Sequence, residues 1–296
     1  MKTGNYKQNL EFIVEKGSLL LEYLFLQIPN KSKNNIKSLL TRGDVFVNNR
    51  SITKYDYKLR VGDKVLIKTN QIHTLDHNET LNLIYEDNDI IVINKPAGLL
   101  SMATDNESEK TAYHMVMDYL KKRNHKNRIF IVHRLDKDTS GVLMFAKNEH
   151  IKLALQNNWS DIVKVRGYIA IVQGQMAKKS DTIKTWLKET KTLLVYSSRI
   201  AGDGQEAITH YDVLKENDRY SLLNIKIDTG RKNQIRVHMK DLEHSIIGDK
   251  KYGSNVDPLK RLGLHAHILE FKHPLTGEIM HFEAEIPSRF FSLFKK

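Results

Sequence analysis

A mostly polar stretch of nine residues, 133–141, lies between two apolar runs of the chain, 129–132 and 142–146. Short continuous apolar runs are typical of buried strands, so the pattern predicts a tight loop that joins two such strands. Such a loop would hold the Asp136 carboxylate at the mouth of a cleft, with Arg134 two residues away. By composition alone, an aspartate followed by Thr-Ser-Gly is equally typical of an ordinary turn.

The composition limits the classes of protein to consider. The chain has 296 residues with 40% apolar content, enough for a sizeable core in one large domain or in a small and a larger one. It contains no cysteine, which excludes disulfides, iron–sulfur clusters and thiolate zinc sites and fits a reducing cytosol. No apolar run approaches the ~20 residues of a membrane helix. The N-terminus lacks the layout of a secretory signal, so a cytoplasmic protein is expected.

The charge distribution indicates a polyanionic partner and a domain boundary. The net charge is +12, which favours nucleic acid first and a membrane surface second. Residues 1–75 hold 13 Lys+Arg and 6 Asp+Glu, whereas the next stretch is acidic. This change of sign predicts an N-terminal module over residues 1–75 and a larger domain over residues 76–296.

The N-terminal module shows two helical patterns followed by a hairpin. The first helix is predicted from Leu19 to Gln27. The second helix would begin after Ser32 as N-cap and end before Gly43. Its apolar face consists of Ile36, Leu39 and Leu40, and its polar face and C-terminal end carry Lys33, Lys37 and Arg42. Asn48-Asn49 then predicts a hairpin turn, and 65–67 a further strand.

This module resembles the S4 RNA-binding domain over residues 17–68. The phrases that carry the resemblance are Leu-Leu-Thr-Arg-Gly-Asp-Val-Phe-Val-Asn at 39–48 and Val-Gly-Asp-Lys-Val at 61–65. The resemblance implies that Lys33, Lys37 and Arg42 lie along RNA phosphates and bind by charge and shape more than by base reading. The alternative is a surface helix whose lysines are merely solvated.

From residue 81 the pattern becomes α+β. Residues 83–85 and 90–94 predict a hairpin that ends at the breakers Pro96 and Gly98. Helical patterns follow at about residues 111–122 and 149–159. Because strands and helices alternate without strict βαβ order, we expect a mixed, largely antiparallel sheet.

Residues 133–141 match the RluA-type RNA pseudouridine synthase motif His-Arg-Leu-Asp-x-x-Thr-Ser-Gly at every fixed position. Further phrases of that family follow the same order along the chain, at residues 86–87, 94–98, 166–170, 229–238, 248–253, 264–267 and 273–278. The initial His133 separates the chain from the RsuA-type enzymes, which usually begin this phrase with glycine. One departure is Asn233, where the family commonly has histidine. The resemblance implies the pseudouridine synthase fold, a long bent sheet with the active cleft across its middle, and nominates Asp136 as the essential catalytic residue.

The implied reaction explains why these residue types are needed. Uridine becomes pseudouridine when the N1–C1′ bond breaks, the uracil rotates, and C5 bonds to C1′; no cofactor is required. The Asp136 carboxylate would either attack the sugar or support proton removal from it. Burial disfavours a charged carboxylate, and a nearby guanidinium opposes that cost. The resemblance assigns this role to Arg236, with Arg231 as a second candidate that is otherwise structural or phosphate-binding.

Two further residues carry roles implied by the family order. Tyr168 is expected to stack on the target uracil, with an ordinary core tyrosine as the alternative. The target base must leave its stack to reach Asp136. Arg134 would assist by entering the vacated space or by holding a phosphate, unless it simply pairs with Asp138. Thr139, Ser140 and Gly141 are expected to shape the loop.

The leading hypothesis is therefore an enzyme that isomerises uridines in structured RNA, with ribosomal RNA, large-subunit above all, as the favoured substrate and transfer RNA as the other. A monomer is expected, with no membrane partner. His265 and His267 lie two residues apart without a third ligand at suitable spacing, so no metal site is predicted. The competing hypotheses are a non-catalytic RNA-binding or ribosome-assembly factor that retains the fold, and an RNA chaperone that acts by charge alone.

Overall fold

The chain divides between Thr80 and Leu81 into two units, Met1–Thr80 and Leu81–Lys296. The computed structural model describes residues 10–29, 36–37, 39–40, 45–67, 81–103 and 110–295. Ser32, Lys33, Arg42 and Gly43, which entered the sequence-based predictions, lie outside the described residues. Of the helices described, none is long and apolar enough to cross a membrane.

The first unit is a small antiparallel sheet with helical residues packed on it. The strands of this unit are β1 (Leu10–Ile13), β2 (Ser18–Leu19), β3 (Val45–Val47), β4 (Arg50–Ser51), β5 (Lys58–Leu59) and β6 (Lys64–Ile67). Four of them pair in the order β1-β6-β3-β4, and β2 pairs with β5. The turn between β3 and β4 uses Asn48 and Asn49, whose φ angles are 48° and 66°, as predicted.

Helix α1 (Leu20–Gln27) supplies Leu20 and Leu24 to the core of the first unit. The helical residues Ile36, Leu39 and Leu40 are buried in the same core, whereas Lys37 is exposed. The apolar face predicted for the second helix is therefore confirmed at these three positions. The S4 assignment itself stays a prediction.

The second unit is built on one sheet of eleven strands. These are β7 (Leu83–Glu86), β8 (Ile90–Lys95), β9 (Phe130–Ile131), β10 (Ser140–Ala146), β11 (Val163–Gln173), β12 (Ser180–Glu189), β13 (Val195–Ser198), β14 (Gln205–Glu216), β15 (Tyr220–Ile227), β16 (Leu264–Lys272) and β17 (Ile279–Glu283). The main path runs β13-β12-β14-β15-β11-β16-β10-β8-β7, with β9 beside β10 and β17 beside β16. Only the β10–β16 pair is parallel among the strand pairs described, so the predicted mixed, largely antiparallel sheet is confirmed.

Helices cover both faces of the sheet. They are α2 (Ala112–Lys121), α3 (Glu149–Asn157), α4 (Trp159–Ile162), α5 (Gln234–Asp241) and α6 (Ser288–Ser292). All seven residues of β10 are buried, because alternate residues enter two different cores. Leu143 and Phe145 pack with α2, and Val142 and Met144 pack with α3. Burial on both faces explains why this strand is a continuous apolar run.

The predicted hairpin before β10 is confirmed. Asp87 closes the β7–β8 turn by accepting the amides of Asp89 and Ile90, both at 2.7 Å. The strand predicted within 129–132 is present, but it is shorter than the apolar run and only half-buried, since Phe130 and Ile131 alone pair with the far end of β10. The loop after this strand is wide and not tight, because it spans residues 132–139.

Gly141 sits where β10 runs beside β16 at the parallel junction. Its φ is +118°, and a Cβ placed on it would overlap the carbonyl of Ala266. We expect Gly141→Ala to lower the free energy of unfolding by about 2–4 kcal/mol, through backbone strain and overlap together.

The control is Gly253→Ala, since Gly253 has φ +87° but nothing within 4 Å of the position that a methyl group would take. Urea titrations of the two variants should differ clearly. Equal losses would mean that the close approach at Ala266 is unimportant.

Candidate active site

A cleft of about 420 Å³ opens where the 132–139 loop, β11 and the start of α5 meet. Five of its lining side chains are the ones nominated from the sequence: Arg134, Asp136, Tyr168, Arg231 and Arg236. They come from positions up to 102 residues apart in the chain, and the fold brings all five to one cavity. The volume falls in the range of about 300–1,000 Å³ that is usual for small-molecule sites.

The loop that carries Asp136 is held by hydrogen bonds on both sides of that residue. The Thr139 amide donates to the Asp136 carbonyl at 3.2 Å. Ser101 donates its hydroxyl to the Leu135 carbonyl at 2.8 Å, and its oxygen accepts the Leu135 amide at 3.0 Å. These bonds fix the backbone, so the Asp136 side chain is presented in one direction. It is 27% exposed, neither sealed in the interior nor free in solvent.

Lys95 supports the same loop from beneath. Its ammonium donates to the carbonyls of Leu99 at 2.6 Å and of Pro96 and Lys137 at 3.0 Å. The side chain is fully buried, and burial lowers the pKa of Lys95 to about 7 although the charges of Asp138 and Asp136 oppose that shift. Lys95 therefore ties the turn after β8 to the residue that follows Asp136.

Arg236 joins the 132–139 loop to the second half of the domain. Its Nη1 lies 3.3 Å from Asp136 Oδ2, so the ion pair expected between these residues is present. Nε and Nη2 donate to the two oxygens of Asp249 at 2.7 and 2.8 Å. Nη1 also donates to Asn233 Oδ1 at 3.1 Å, and the guanidinium carbon lies 5.0 Å from the Tyr252 ring centre.

The Arg236 charge is firmly maintained by this geometry. Burial favours the neutral form, but the hydrogen bonds and charge of Asp249, with a smaller contribution from Asp136, outweigh burial and raise the pKa of Arg236. The Asp249 side chain is completely buried and also accepts the amides of Lys251 and Tyr252 at 3.1 Å. The bidentate pair thus sets the plane of the guanidinium and aims Nη1 at the cleft.

Tyr168 projects from β11 into the cleft, where it is half-buried. Burial raises its pKa to about 12, and the Asp136 charge adds to this effect while Arg166 opposes it. The hydroxyl is therefore protonated at neutral pH. Tyr168 packs against two hydrophobic cores and also lines the cleft, so its position is compatible with either role considered for it.

The cleft has a strong excess of positive charge. Four arginines line it, Arg134, Arg166, Arg231 and Arg236, against one acidic side chain among the described lining residues, Asp136. Arg134 is exposed and, within the described ranges, makes no ion pair with Asp138. Arg231 donates its Nε to the Glu206 carbonyl at 2.9 Å. Such a cleft suits an anionic ligand.

The histidines of the family phrases bind neighbouring groups of the protein. His133 stacks 5.2 Å from Trp159, and its Nε2 accepts the Met144 amide at 3.0 Å. Burial lowers the pKa of both His133 and His265 to about 4. His265 bonds Ser140, and His267 bonds the Ala284 carbonyl. Over the part of the chain that the structure describes, no group of His, Cys, Asp and Glu is arranged as a metal site.

Sequence reasoning missed three supporting residues, although each lies inside a family phrase. Asp249 and Lys95 belong to the Gly-Asp and Lys-Pro-Ala-Gly phrases, to which no role in the site was assigned. Asn233 stood out only as a departure from the family. It adopts a φ of 54° at the start of α5 and donates its amide to the Tyr252 hydroxyl at 3.0 Å. A buried charged residue beside a glycine turn is not part of a periodic pattern of apolar residues, so the sequence pattern could not identify it.

Comparison with known proteins identifies the class. A family model described as RNA pseudouridylate synthase matches residues 89–241. An uncharacterized RNA pseudouridine synthase of Bacillus subtilis (strain 168) is 34% identical over 92% of each chain. Ribosomal large subunit pseudouridine synthase D of Vibrio cholerae is 32% identical over 86% of this chain and 84% of its own. The solved structure of human RNA pseudouridylate synthase domain containing 4 has a TM-score of 0.59 at 23% identity, covering 71% of this chain and 90% of that chain, and shows the same fold.

The chain therefore belongs to the RNA pseudouridine synthase family. It is an enzyme that isomerises uridine in RNA, and the resemblance to the RluA-type members is confirmed.

Breaking the buried pair should be costly. We expect Asp249→Asn to lower the free energy of unfolding by about 3–5 kcal/mol, because it leaves the Arg236 charge without its buried partner. Asp203→Asn is the control, since Asp203 pairs with Lys188 at 2.6 Å and both side chains are 38% exposed. That change should have little effect, because solvent-exposed ion pairs contribute little to stability. Chemical denaturation measures both, and an equally small loss for Asp249→Asn would show that the pair does not organise the site.

Proposed function

We propose that this enzyme converts specific uridines of structured large-subunit ribosomal RNA into pseudouridine. Asp136 is the essential catalytic group, and the target nucleotide turns out of its stack into the cleft. The observation that supports this most strongly is the Asp136 carboxylate, partly exposed in the cleft and 3.3 Å from Arg236. The choice of RNA follows from the 32% identity to the Vibrio cholerae enzyme named for the large ribosomal subunit.

Asp136 acts at the ribose. In the reaction the N1–C1′ bond breaks, C5 bonds to C1′, the proton on C5 is lost, and N1 gains one, so atoms balance without a donor. A charged carboxylate serves either route, bonding to C1′ or supporting proton removal from the sugar. Arg236, 3.3 Å away, orients that carboxylate. Asp249 acts on the reaction only through Arg236, and it is therefore a positioning residue.

The remaining cleft residues hold the nucleotide. A cavity of about 420 Å³ accepts one nucleoside and not a helix, so the uridine must leave its stack. The Tyr168 ring stacks on the uracil, and its protonated hydroxyl is available for proton transfer near C5. Arg134, exposed at the cleft, holds the phosphate of the extruded nucleotide or fills the space that it leaves. Arg231 contacts a neighbouring phosphate.

The first unit provides a second RNA-binding surface, as in S4 domains. Lys33, Lys37 and Arg42 would lie along phosphates of a structured segment and bind without reading bases. The enzyme works as a monomer in the cytoplasm, where it meets ribosomal RNA.

Asp136→Asn keeps the size of the side chain and removes its charge. We expect turnover of uridine in a ribosomal RNA transcript to fall by more than about 10³-fold. RNA affinity should change by less than about threefold, because phosphate contacts dominate binding. The matched control is Asp138→Asn, since Asp138 is an exposed residue of the same loop. Pseudouridine quantification would contradict the proposal if Asp136→Asn turned over at a rate near that of the wild type.

Removal of residues 1–70 tests the RNA-binding role of the first unit. This unit has its own hydrophobic core, so the second unit keeps its cores intact. Loss of three phosphate contacts should flatten the slope of log affinity against log salt by about 2–3. Binding titrations from low to high salt measure this slope. An unchanged slope would mean that the first unit is not a phosphate-binding surface.

A further inference from the structure

A basic segment lies between α2 and the catalytic loop. Residues 121–128 contain five cations and no acidic residue: Lys121, Lys122, Arg123, Lys126 and Arg128. Residues 121–130, from the last residue of α2 to the first residue of β9, are here called the basic ridge. None of the side chains assigned to the isomerisation lies in it.

The backbone of the basic ridge is held in place. The amides of Arg123 and Asn124 both donate to the Leu120 carbonyl at 3.1 Å. Asn127 donates its side-chain amide to the same carbonyl at 3.1 Å, and Asn124 accepts the Lys126 amide at 3.0 Å. These bonds satisfy the end of α2 and present the charged side chains in a defined order.

The basic ridge forms the common wall of two surface grooves of about 430 and 800 Å³. Both grooves are lined by Lys126, Asn127, Arg128 and Phe130. The smaller groove adds Lys147, and the larger one adds Lys121 and Tyr113. The smaller groove also contains one acidic residue, Glu149, so cations predominate in both grooves. Grouped cations along a groove suit the phosphate backbone of a nucleic acid.

The cations of the basic ridge are available for an anionic partner. Arg123 and Lys147 both pair with Glu86, at 3.1 and 2.9 Å. In contrast, Lys122, Lys126 and Arg128 are exposed and have no ion pair among the described residues. Like charges that remain unpaired and close together cost free energy unless a polyanion neutralises them.

The basic ridge leads directly into the active cleft. Arg128 and Arg134 are six residues apart, so their Cα atoms lie within about 22 Å of each other. Gln156 lines the cleft and donates its side-chain amide to the Ile131 carbonyl at 2.9 Å, which fixes the intervening strand. A strand of RNA that leaves the cleft past Arg134 therefore meets Arg128 within a few nucleotides.

We propose that the basic ridge binds the phosphate backbone of the RNA strand that flanks the target uridine. The proposal rests on the proposed function, to which it adds a second RNA-binding surface inside the catalytic unit. Lys122, Lys126 and Arg128 contact successive phosphates. This surface raises affinity and sets the path of the RNA, and it takes no part in bond breaking.

The test replaces the three unpaired cations together, Lys122→Gln, Lys126→Gln and Arg128→Gln, in the full chain. The control is Lys215→Gln, Arg219→Gln and Lys226→Gln, which removes the same charges from exposed positions on β14, β15 and the turn between them. With an unmodified large-subunit ribosomal RNA transcript as probe, the ridge variant should bind about tenfold more weakly. Its salt slope should fall by about 2, whereas the control should show less than half of each effect.

Kinetics distinguish binding from chemistry. The ridge variant should show a raised KM and a kcat within about twofold of wild type, because the contacts hold substrate and transition state equally. Equal losses in ridge and control variants would overturn the proposal, since they would reflect net charge alone. If Asp136→Asn remained active, the proposed function would be wrong. The affinity and salt slope of the ridge variant would still measure RNA binding by the basic ridge, because neither depends on catalysis.

A cross-link gives the location independently. Because the chain has no cysteine, His125→Cys carries one photoreactive probe at a single exposed position of the larger groove. Cross-linked nucleotides should fall within a few positions of the uridine that the enzyme isomerises. Cross-links scattered over the transcript, or none in the presence of bound RNA, would overturn the proposal.

Discussion

The active site depends on a buried guanidinium shared by two carboxylates. Asp249 is fully buried and binds Arg236 through two hydrogen bonds, and the remaining Nη1 reaches Asp136 at 3.3 Å. A buried charge that lost its partner would cost several kcal/mol, so this arrangement holds the guanidinium in one orientation. The Asp136 carboxylate therefore lies beside a fixed cation and is still 27% exposed at the cleft. One ion pair of Arg236 is buried in the protein, and the other reaches the cleft.

The sheet brings these groups together from distant parts of the chain. β10 follows the 132–139 loop and pairs in parallel with β16 in the interior of the eleven-stranded sheet. β11 pairs with the other edge of β16. There Tyr168 lies opposite Ala266, which follows the β16 residue that pairs with Ser140. Helix α5 then presents Arg236 to the same cleft. Gly141 permits the close approach that this central junction needs.

Local patterns predicted the local structure well. The β7–β8 hairpin, α2, α3 and the Asn48-Asn49 turn all follow from periodicity and turn chemistry that act within a few residues. Residues 129–132 were misleading, because an apolar run does not reveal how much of it will pair with a distant strand, and only residues 130 and 131 pair with β10. Strand pairing depends on residues far apart in the chain. In a short apolar run it therefore overrides the structure that the local pattern predicts.

Only those site residues to which the family phrases assign a role in the reaction could be predicted from the sequence. Asp136, Tyr168 and Arg236 were nominated through the ordered family phrases, since nothing in the spacing of 100 residues predicts the Asp136–Arg236 contact. Asp249 and Lys95 act through burial and through other groups, so their importance emerges only from contacts in three dimensions. The same holds for the basic ridge, whose charge is evident in the chain but whose grooves and closeness to the cleft are not.

The most direct test of the proposed mechanism is a crystal structure of Asp136→Asn bound to a large-subunit ribosomal RNA fragment that the wild-type enzyme modifies. We expect one uridine outside its stack, its uracil against Tyr168 and its C1′ beside residue 136, with Arg236 still bound to Asp249. A target uridine that remained stacked in the RNA, or that lay away from residue 136, would contradict the mechanism.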